Sequence, residues 1–261
     1  MTNDDDNDRY RAPALDKGLD ILELLARTDG GLTQAEIAKG LGKSPNEFYR
    51  MLDRLVRRGY VQRQDGDRFL LTLKLFGLAH FHAPVRRLVS FATPVMREFS
   101  SLSEQSCHLA VYDRGSVIVI AQQDSPTYWG ISIRVGARIS LFNTGSGHVL
   151  LAFRDSYQRE MMISEQERHQ DDEQSRPDDL NTRLDAIAGR GFEIMDSFQT
   201  AGVRNISAPV ISLDGYALAA LTCPYIAPIS PNAPGFDTVV ARLREAARQI
   251  SETVAGKLEE G

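Results

Sequence analysis

Apolar positions in the first third of the chain recur at helical spacing in short runs, each bounded by turn residues. Leu15, Leu19, Leu22 and Leu25, with Ile21 and Ala26 beside them, predict an amphipathic helix that stops at Asp29-Gly30-Gly31. Thr33 and Glu36 have the spacing of a capping box, opening a short helix whose apolar side is Ala35, Ile37, Ala38 and Leu41. A turn carrying Gly40 and Gly42 leads into a third helix from Ser44 to Tyr60. There Phe48, Met51, Leu52 and Leu55 form one stripe, Ser44 stands at the N-cap, Pro45 at the first helical position, and Glu47 completes a second box. Two capped helices joined by a Gly-containing turn make a helix-turn-helix. After Gly59, Tyr60-Val61 and Phe69-Leu70-Leu71 flank a polar tip with Gly66, the pattern of a hairpin wing.

From Leu73 to Val89 the pattern is again helical, but Pro84 interrupts it, so one bent helix or two are expected. Beyond about residue 90 strand signals dominate. Leu109, Val111 and Val117 to Ile120 surround the turn Asp113-Arg114-Gly115, and Ile131 to Val135 alternates as a half-buried strand does. Thr144-Gly145-Ser146-Gly147 leads into an apolar helix from His148 to Phe153, and Pro177 to Arg190 reads as a helix ending at Gly191. Strands follow at Phe192 to Met195, Asn205 to Ile211 and Tyr216 to Thr222, with Asp214-Gly215 as a turn, before a last amphipathic helix through Val240, Leu243, Ala247, Ile250 and Val254. Without a βαβ rhythm or an internal repeat, this order predicts an α+β domain with a mainly antiparallel sheet. The expected organisation is an acidic disordered tail over 1–12, a winged helix-turn-helix domain over 13–72, a helical linker over 73–90 and a second domain over 91–261.

Charge changes the picture locally. The 261-residue chain has a formal net charge of -5, so it is no indiscriminate polyanion binder. Between positions 43 and 68, however, seven basic residues (Lys43, Arg50, Arg54, Arg57, Arg58, Arg63, Arg68) face four acidic ones (Glu47, Asp53, Asp65, Asp67). Two cysteines far apart in sequence, Cys107 and Cys223, give neither a disulfide framework nor a zinc spacing, and no run reaches the roughly 18 apolar residues of a membrane span. The expectation is a cytoplasmic protein with no metal and no cofactor. His80-x-His82 and His169 lack companions at ligand spacing.

Asn46, Tyr49, Arg50, Asp53, Arg54 and Arg57 lie off the stripe of the third helix and give it an amide, phenol and guanidinium face. On that helix alone an ordinary solvated basic face is the simpler reading. The capped helix before it and the wing after it turn the face into a candidate DNA reader. A recognition helix reads bases from its N-terminal part, so Asn46 suits adenine, Arg50 guanine or phosphate, and Tyr49 phosphate or a thymine methyl. Lys43, Ser44, Arg54 and Arg68 are assigned to phosphates, and Arg11 to an arm. Glu47 is spent on its cap, and Arg57 and Arg58 suit a solvated helix end. In the second half, Thr144 to Gly147 at a helix N-terminus suits an anion if the small residues let a ligand reach the backbone, and a tight turn capped by Thr144 if they do not.

The fragments ALDKGLDILELL, LTQAEIAKGLG, FYRMLDRLVRRGYVQR and RFLLTLKLFGLA, then ISLFNTGSGHVLLAF and GVRNISAPVISLDGYALAALTCPY, stand in an order and spacing that resembles the IclR family of bacterial transcriptional regulators. The resemblance implies a winged helix-turn-helix joined to a GAF-like effector domain. It implies a homodimer or homotetramer on a double-stranded DNA operator, controlling catabolic genes in response to a small metabolite, with repression as the default. By position it implies a pocket lined by Tyr128, Gly145, Ser146, Met195 or Asp196, Asn205, Thr222 and Pro224. Trp129, the sole tryptophan, suits a cap on that pocket or a core or interface residue. Pro45-Asn46-Glu47 replaces the family's usual Lys-Ser-Thr run, Asn205 a cysteine of some relatives and Met195 a carboxylate. Two rivals remain at this point. One is an enzyme pairing Cys223 or Cys107 with His108 or His148; the other is a ligand-binding module whose helix-turn-helix contacts protein.

Overall fold

The computed structural model describes residues 12–64, 66–80, 83–169 and 175–258, in two compact units that divide between Ala83 and Pro84. The first unit runs α1 (Pro13–Ala26), β1 (Leu32–Thr33), α2 (Gln34–Leu41), α3 (Pro45–Arg57), β2 (Val61–Gln64), β3 (Arg68–Leu71) and α4 (Lys74–His80). Thr33 opens α2 with a reciprocal box: its Oγ1 accepts from Glu36 N at 3.3 Å and its N–H donates to Glu36 Oε2 at 2.8 Å. Gly42 closes α2 at φ +61°, a conformation that suits glycine, and so sets the turn into α3. The hairpin β2–β3 is joined by β1, a two-residue strand that no local pattern announced, in the order β1-β3-β2. A winged helix-turn-helix results.

Ile21, Leu25, Ile37, Phe48, Leu52, Val61 and Phe69 form the core of this unit. Leu15 and Leu19, expected on the packed side of α1, are exposed, because Gly18, Ile21 and Leu25 turn inward instead. The two stripes lie about a quarter turn apart on the helix, and only one faces α2 and α3.

The second unit comprises α5 (Ala83–Ser103), β4 (Cys107–Asp113), β5 (Ser116–Gln123), β6 (Arg138–Ile139), α6 (Gly145–Ala152), α7 (Ser156–His169), α8 (Leu180–Arg190), β7 (Glu193–Asp196), β8 (Val203–Ile211), β9 (Ala217–Ile226) and α9 (Phe236–Leu258). Pro84 falls in the first turn of α5, where a missing N–H breaks no helical bond. All pairings in the six-stranded sheet are antiparallel, in the order β6-β5-β4-β9-β8-β7. Alternation along β8 and β9 sends Ile206, Ala208, Val210, Ala219, Leu221 and Cys223 toward α5 and α9. The other face carries α6, α7 and α8 over Ala110, Val117, Val119 and Ala220. The α+β class with an antiparallel sheet is what the sequence pattern implied.

In the second unit the pattern needs correction, beginning with α6, which starts at Gly145 rather than at His148. Ile131 to Val135 is not a strand; only Arg138–Ile139 joins the sheet. Side chains take the place of a neighbouring strand there: Ser106 Oγ donates to Ile131 O, and Ile133 N donates to Gln122 Oε1 at 3.3 Å. Helix α7 was not foreseen, because it buries the adjacent pair Met162 and Ile163 and shows no helical stripe. Helix α8 starts at Leu180 rather than at Pro177.

Candidate DNA-reading helix and effector cavity

In the first unit, α3 is held from behind by Phe48 and Leu52, both fully buried. Its N-terminus is closed by its own acid: Glu47 Oε2 accepts from Ser44 N at 2.8 Å and from Ser44 Oγ at 2.7 Å. Those bonds hold the Glu47 carboxyl below its usual range, the serine hydroxyl contributing most. Ser44, assigned to a phosphate, therefore has both donors engaged. Lys43 reaches back to Asp20 at 2.7 Å and ties the turn to α1. Arg68 donates to Gly31 O at 2.7 Å and lies 3.4 Å from Glu36, so it clamps the wing to β1 and α2. Arg57 pairs with Asp53 at 2.8 Å on the exposed helix.

Asn46, Tyr49, Arg50 and Arg54 stay exposed, and none has a side-chain partner among the described residues. These residues leave amide, phenol and guanidinium groups free on one side of α3. Arg50 and Arg54 also stand at the rim of an open groove of about 680 Å³, floored by Leu15, Leu19, Met51, Leu55, Leu75 and Leu78. Arg11 lies outside the described residues.

In the second unit, a cavity of about 390 Å³ opens where α6 begins. Residues opposite one another across five strands make a polar row beneath it. Glu193 on β7 pairs with Ser207 on β8, Ser207 with Thr222 on β9, Thr222 with His108 on β4, and His108 with Gln122 on β5. Thr222 Oγ1 donates to Ser207 Oγ at 2.8 Å, and Ser146 Oγ meets Thr222 Oγ1 at 2.8 Å. With the Thr222 proton used on Ser207, Ser146 donates to Thr222. His108 Nε2, a long 3.4 Å from Ser146 Oγ, is then left to donate to it. His108 Nδ1 is buried and has no partner among the described residues. Burial pushes the His108 imidazole down to about 4, so the ring is neutral at pH 7.

Thr144 caps α6 by accepting from Gly147 N at 3.0 Å while donating to Ser140 O at 2.6 Å. No acidic residue occupies the first turn, so the positive end of the helix is not neutralised by its own side chains. Packing requires both glycines of the first turn. A Cβ on Gly145 would stand 2.5 Å from Ser207 Oγ, and one on Gly147 would stand 2.5 Å from the Leu141 backbone. Small residues bring α6 down onto β8 and the preceding loop, and that approach delivers Ser146 to Thr222.

Gly145, Ser146, Asn205, Thr222 and Pro224 come together on the lining. Tyr128 and Trp129 are exposed and are not on the lining, nor are Met195 and Asp196 of β7, which adjoin its residues Asn205 and Ser197. Sequence reasoning did not place His108 or Arg134 here, nor the segment from Ser197 to Thr200 that forms one wall. Among the described lining residues Arg134 is a cation and none is a carboxylate, which favours an anionic guest. Cys107 and Cys223 are buried among the residues beneath α5 and α9, on the sheet face opposite to His108. Burial pushes the Cys107 thiol up to about 12 and raises that of Cys223, so neither is poised as a thiolate. His148 Nε2 is occupied by Phe142 O at 2.8 Å. The described residues contain no cluster of three metal-ligating side chains and no helix long and apolar enough to cross a membrane.

Residues 82–252 match the family described as bacterial transcriptional regulator IclR, C-terminal, and residues 14–65 match the IclR helix-turn-helix domain. The chain belongs to the IclR family of bacterial transcriptional regulators. It is 30% identical over 259 residues to the HTH-type transcriptional regulator BhcR of Paracoccus denitrificans, covering 95% of this chain and 89% of that one. It is also 30% identical over 220 residues to KdgR of Dickeya chrysanthemi, covering 83% and 72% respectively. An IclR homolog from Microbacterium hydrocarbonoxydans, solved with 4-hydroxybenzoate, shares the fold at a TM-score of 0.74 and 22% identity, over 92% of this chain and 98% of that one. Thermotoga maritima IclR does so at 0.70 and 21%, over the same shares, 92% and 98%. This IclR-family protein is thus a DNA-binding transcriptional regulator.

Proposed function

We propose that this IclR-family regulator is a cytoplasmic repressor of catabolic genes whose grip on its operator is set by a small carboxylate in the cavity at the start of α6. The cavity carries the ligand half of that reading: it joins a helix N-terminus with no acid in its own first turn, the Arg134 guanidinium and a buried imidazole, with no carboxylate on its described lining. The guest of the Microbacterium homolog, 4-hydroxybenzoate, is an aromatic acid of the same charge class.

On the DNA side, Asn46, Tyr49 and Arg50 read bases or adjacent phosphates, and Arg54 contacts phosphate. Lys43 and Ser44 act through the surfaces they position, because their own charge and donors are engaged within the unit, while Arg68 keeps its donors beyond Nη1 for phosphate. The open apolar groove of α1, α3 and α4 supports self-association, since exposed Leu15, Leu19, Leu75 and Leu78 gain by being covered. A dimer sets two α3 helices at a fixed spacing, on the order of 34 Å for half-sites one turn apart. A ligand that prefers one arrangement of the subunits shifts operator affinity by that difference alone.

The test uses an operator selected from a random duplex library and a gel-shift titration. Arg50→Ala is expected to weaken binding by roughly 1 to 3 kcal/mol, and steep loss of binding with salt is expected for wild type. Carboxylates that change wild-type operator affinity are expected to do nothing in Ser146→Trp, whose side chain fills the cavity. Unaltered binding by Arg50→Ala would remove that residue from the reading set.

A further inference from the structure

The polar row beneath α6 leaves one group unsatisfied. His108 is 2% exposed, lines the cavity, and has a ring nitrogen with no partner among the described residues. Its other nitrogen has only the long contact to Ser146, whose own proton goes to Thr222. A buried bare lone pair costs free energy unless a donor or a proton meets it. Satisfied networks run from Ser207 to Ser146, so the shortfall in the row sits at His108, whose ring borders the cavity.

We propose that His108 is a ligand-binding residue of this regulator: a carboxylate seated at the α6 N-terminus draws a proton from solvent onto the imidazole and pairs with the charged ring. Binding then takes up one proton, and no other bond is made or broken. This inference rests on the carboxylate reading of the cavity.

The surroundings suit such a change. Arg134 is the charged group on the segment over the cavity, and the wall from Ser197 to Thr200 contributes none. On α6 the neighbouring titratable group is His148, held at Phe142 O. Glu193, whose Cγ would stand 3.8 Å from a Cβ on Gly145, is the carboxylate nearest the α6 N-terminus, and Arg190 pairs with it at 2.8 Å. Cys107 and Cys223 sit on the opposite face. No resident carboxylate therefore stabilises a charged His108, and in the free protein burial keeps the ring neutral. An incoming anion supplies the missing counter-charge.

The experiment is calorimetric titration of the whole protein with 4-hydroxybenzoate, acetate, lactate and pyruvate, between about pH 5.5 and pH 8 in two buffers of different ionisation heat. The ring nitrogens of His108 are followed by NMR alongside. The expected result is affinity that falls, approaching tenfold per pH unit, together with proton uptake and a His108 ring that becomes charged on binding. In His108→Gln the slope flattens. Binding without proton uptake, or uptake while the His108 ring stays neutral, overturns the proposal and leaves the effector reading intact. No binding by any of the four acids at any pH overturns the effector reading and this inference with it. Should His108→Gln fail to fold, the buffer comparison and the ring signals on wild type decide alone.

Discussion

Helices α3 and α6 both begin with a hydroxyl residue at the cap, yet their first turns are finished differently. At α3, Ser44 gives its N–H and its hydroxyl to Glu47, so a resident carboxylate lies against the positive end of the helix. At α6, Thr144 caps Gly147, and no acid follows in the first turn. An acid at a helix N-terminus is worth a few tenths to about 1 kcal/mol when exposed, and it occupies the place an anion would take. The difference shows that two hydroxyl-capped helix starts in one chain can carry different charge. Helix α3 presents exposed side chains from an end that its own acid neutralises. Helix α6 begins beside a cavity lined by buried polar groups, with no acid in its own first turn.

The largest expected effect lies beneath α6. The folded His108 titrates at about 4 against an ordinary 6.5, so between those values the unfolded chain takes a proton that the folded one refuses. Stability is therefore full above about pH 6.5 and falls by roughly 3 kcal/mol as pH drops toward 4. His148, also lowered by burial, adds to the same sign. Urea unfolding across this range is the measurement, and His108→Gln is expected to flatten a large part of the slope. An unchanged slope would separate the row from the pH dependence.

Gly147→Ala comes next. Its new methyl meets the Leu141 backbone at 2.5 Å, which cannot be relieved by turning a side chain. A loss of roughly 2 kcal/mol in unfolding free energy is expected. A neutral effect would mean that α6 does not lie so close to the loop.

The same positions show what can be read from a linear pattern. The capped, one-sided periodicity of α3 was legible because the helix packs on one side and meets solvent on the other. The amphipathic pattern of α1 misled, since it holds two stripes and only that of Ile21 and Leu25 enters the core. In the second unit the alternation at Ile131 and Ile133 resembled a strand, whereas it reflects half-buried side chains over a cavity, with Ser106 and Gln122 bonding the backbone. Asn205, Thr222 and Pro224 were reached through family likeness. His108 was visible as a residue but not as part of a row, because its neighbours Thr222 and Gln122 are set by strand register rather than by local spacing.

Smaller effects separate the two caps. Thr144→Ala removes the bond to Gly147 N and the one to Ser140 O, and a cost of about 1 kcal/mol is expected from thermal unfolding. Glu47→Gln keeps the shape of the α3 cap and removes its charge. Because the Glu47 carboxyl is held below its usual range, its contribution is present at neutral pH and is lost as pH falls through the folded value. A slight drop in thermal stability at pH 7 is expected, vanishing at low pH, with carboxylate binding unaffected. A change in ligand affinity in Glu47→Gln would contradict the division of roles.

That division is tested most directly by following backbone amides of the 29.0 kDa chain by NMR while acetate, lactate, pyruvate and 4-hydroxybenzoate are added in turn. Saturable shifts at Gly145 and Ser146, with Asn46 and Glu47 still, are the predicted result. Shifts centred on Asn46 and Glu47, or none at Gly145 and Ser146 with any of the four, would contradict it.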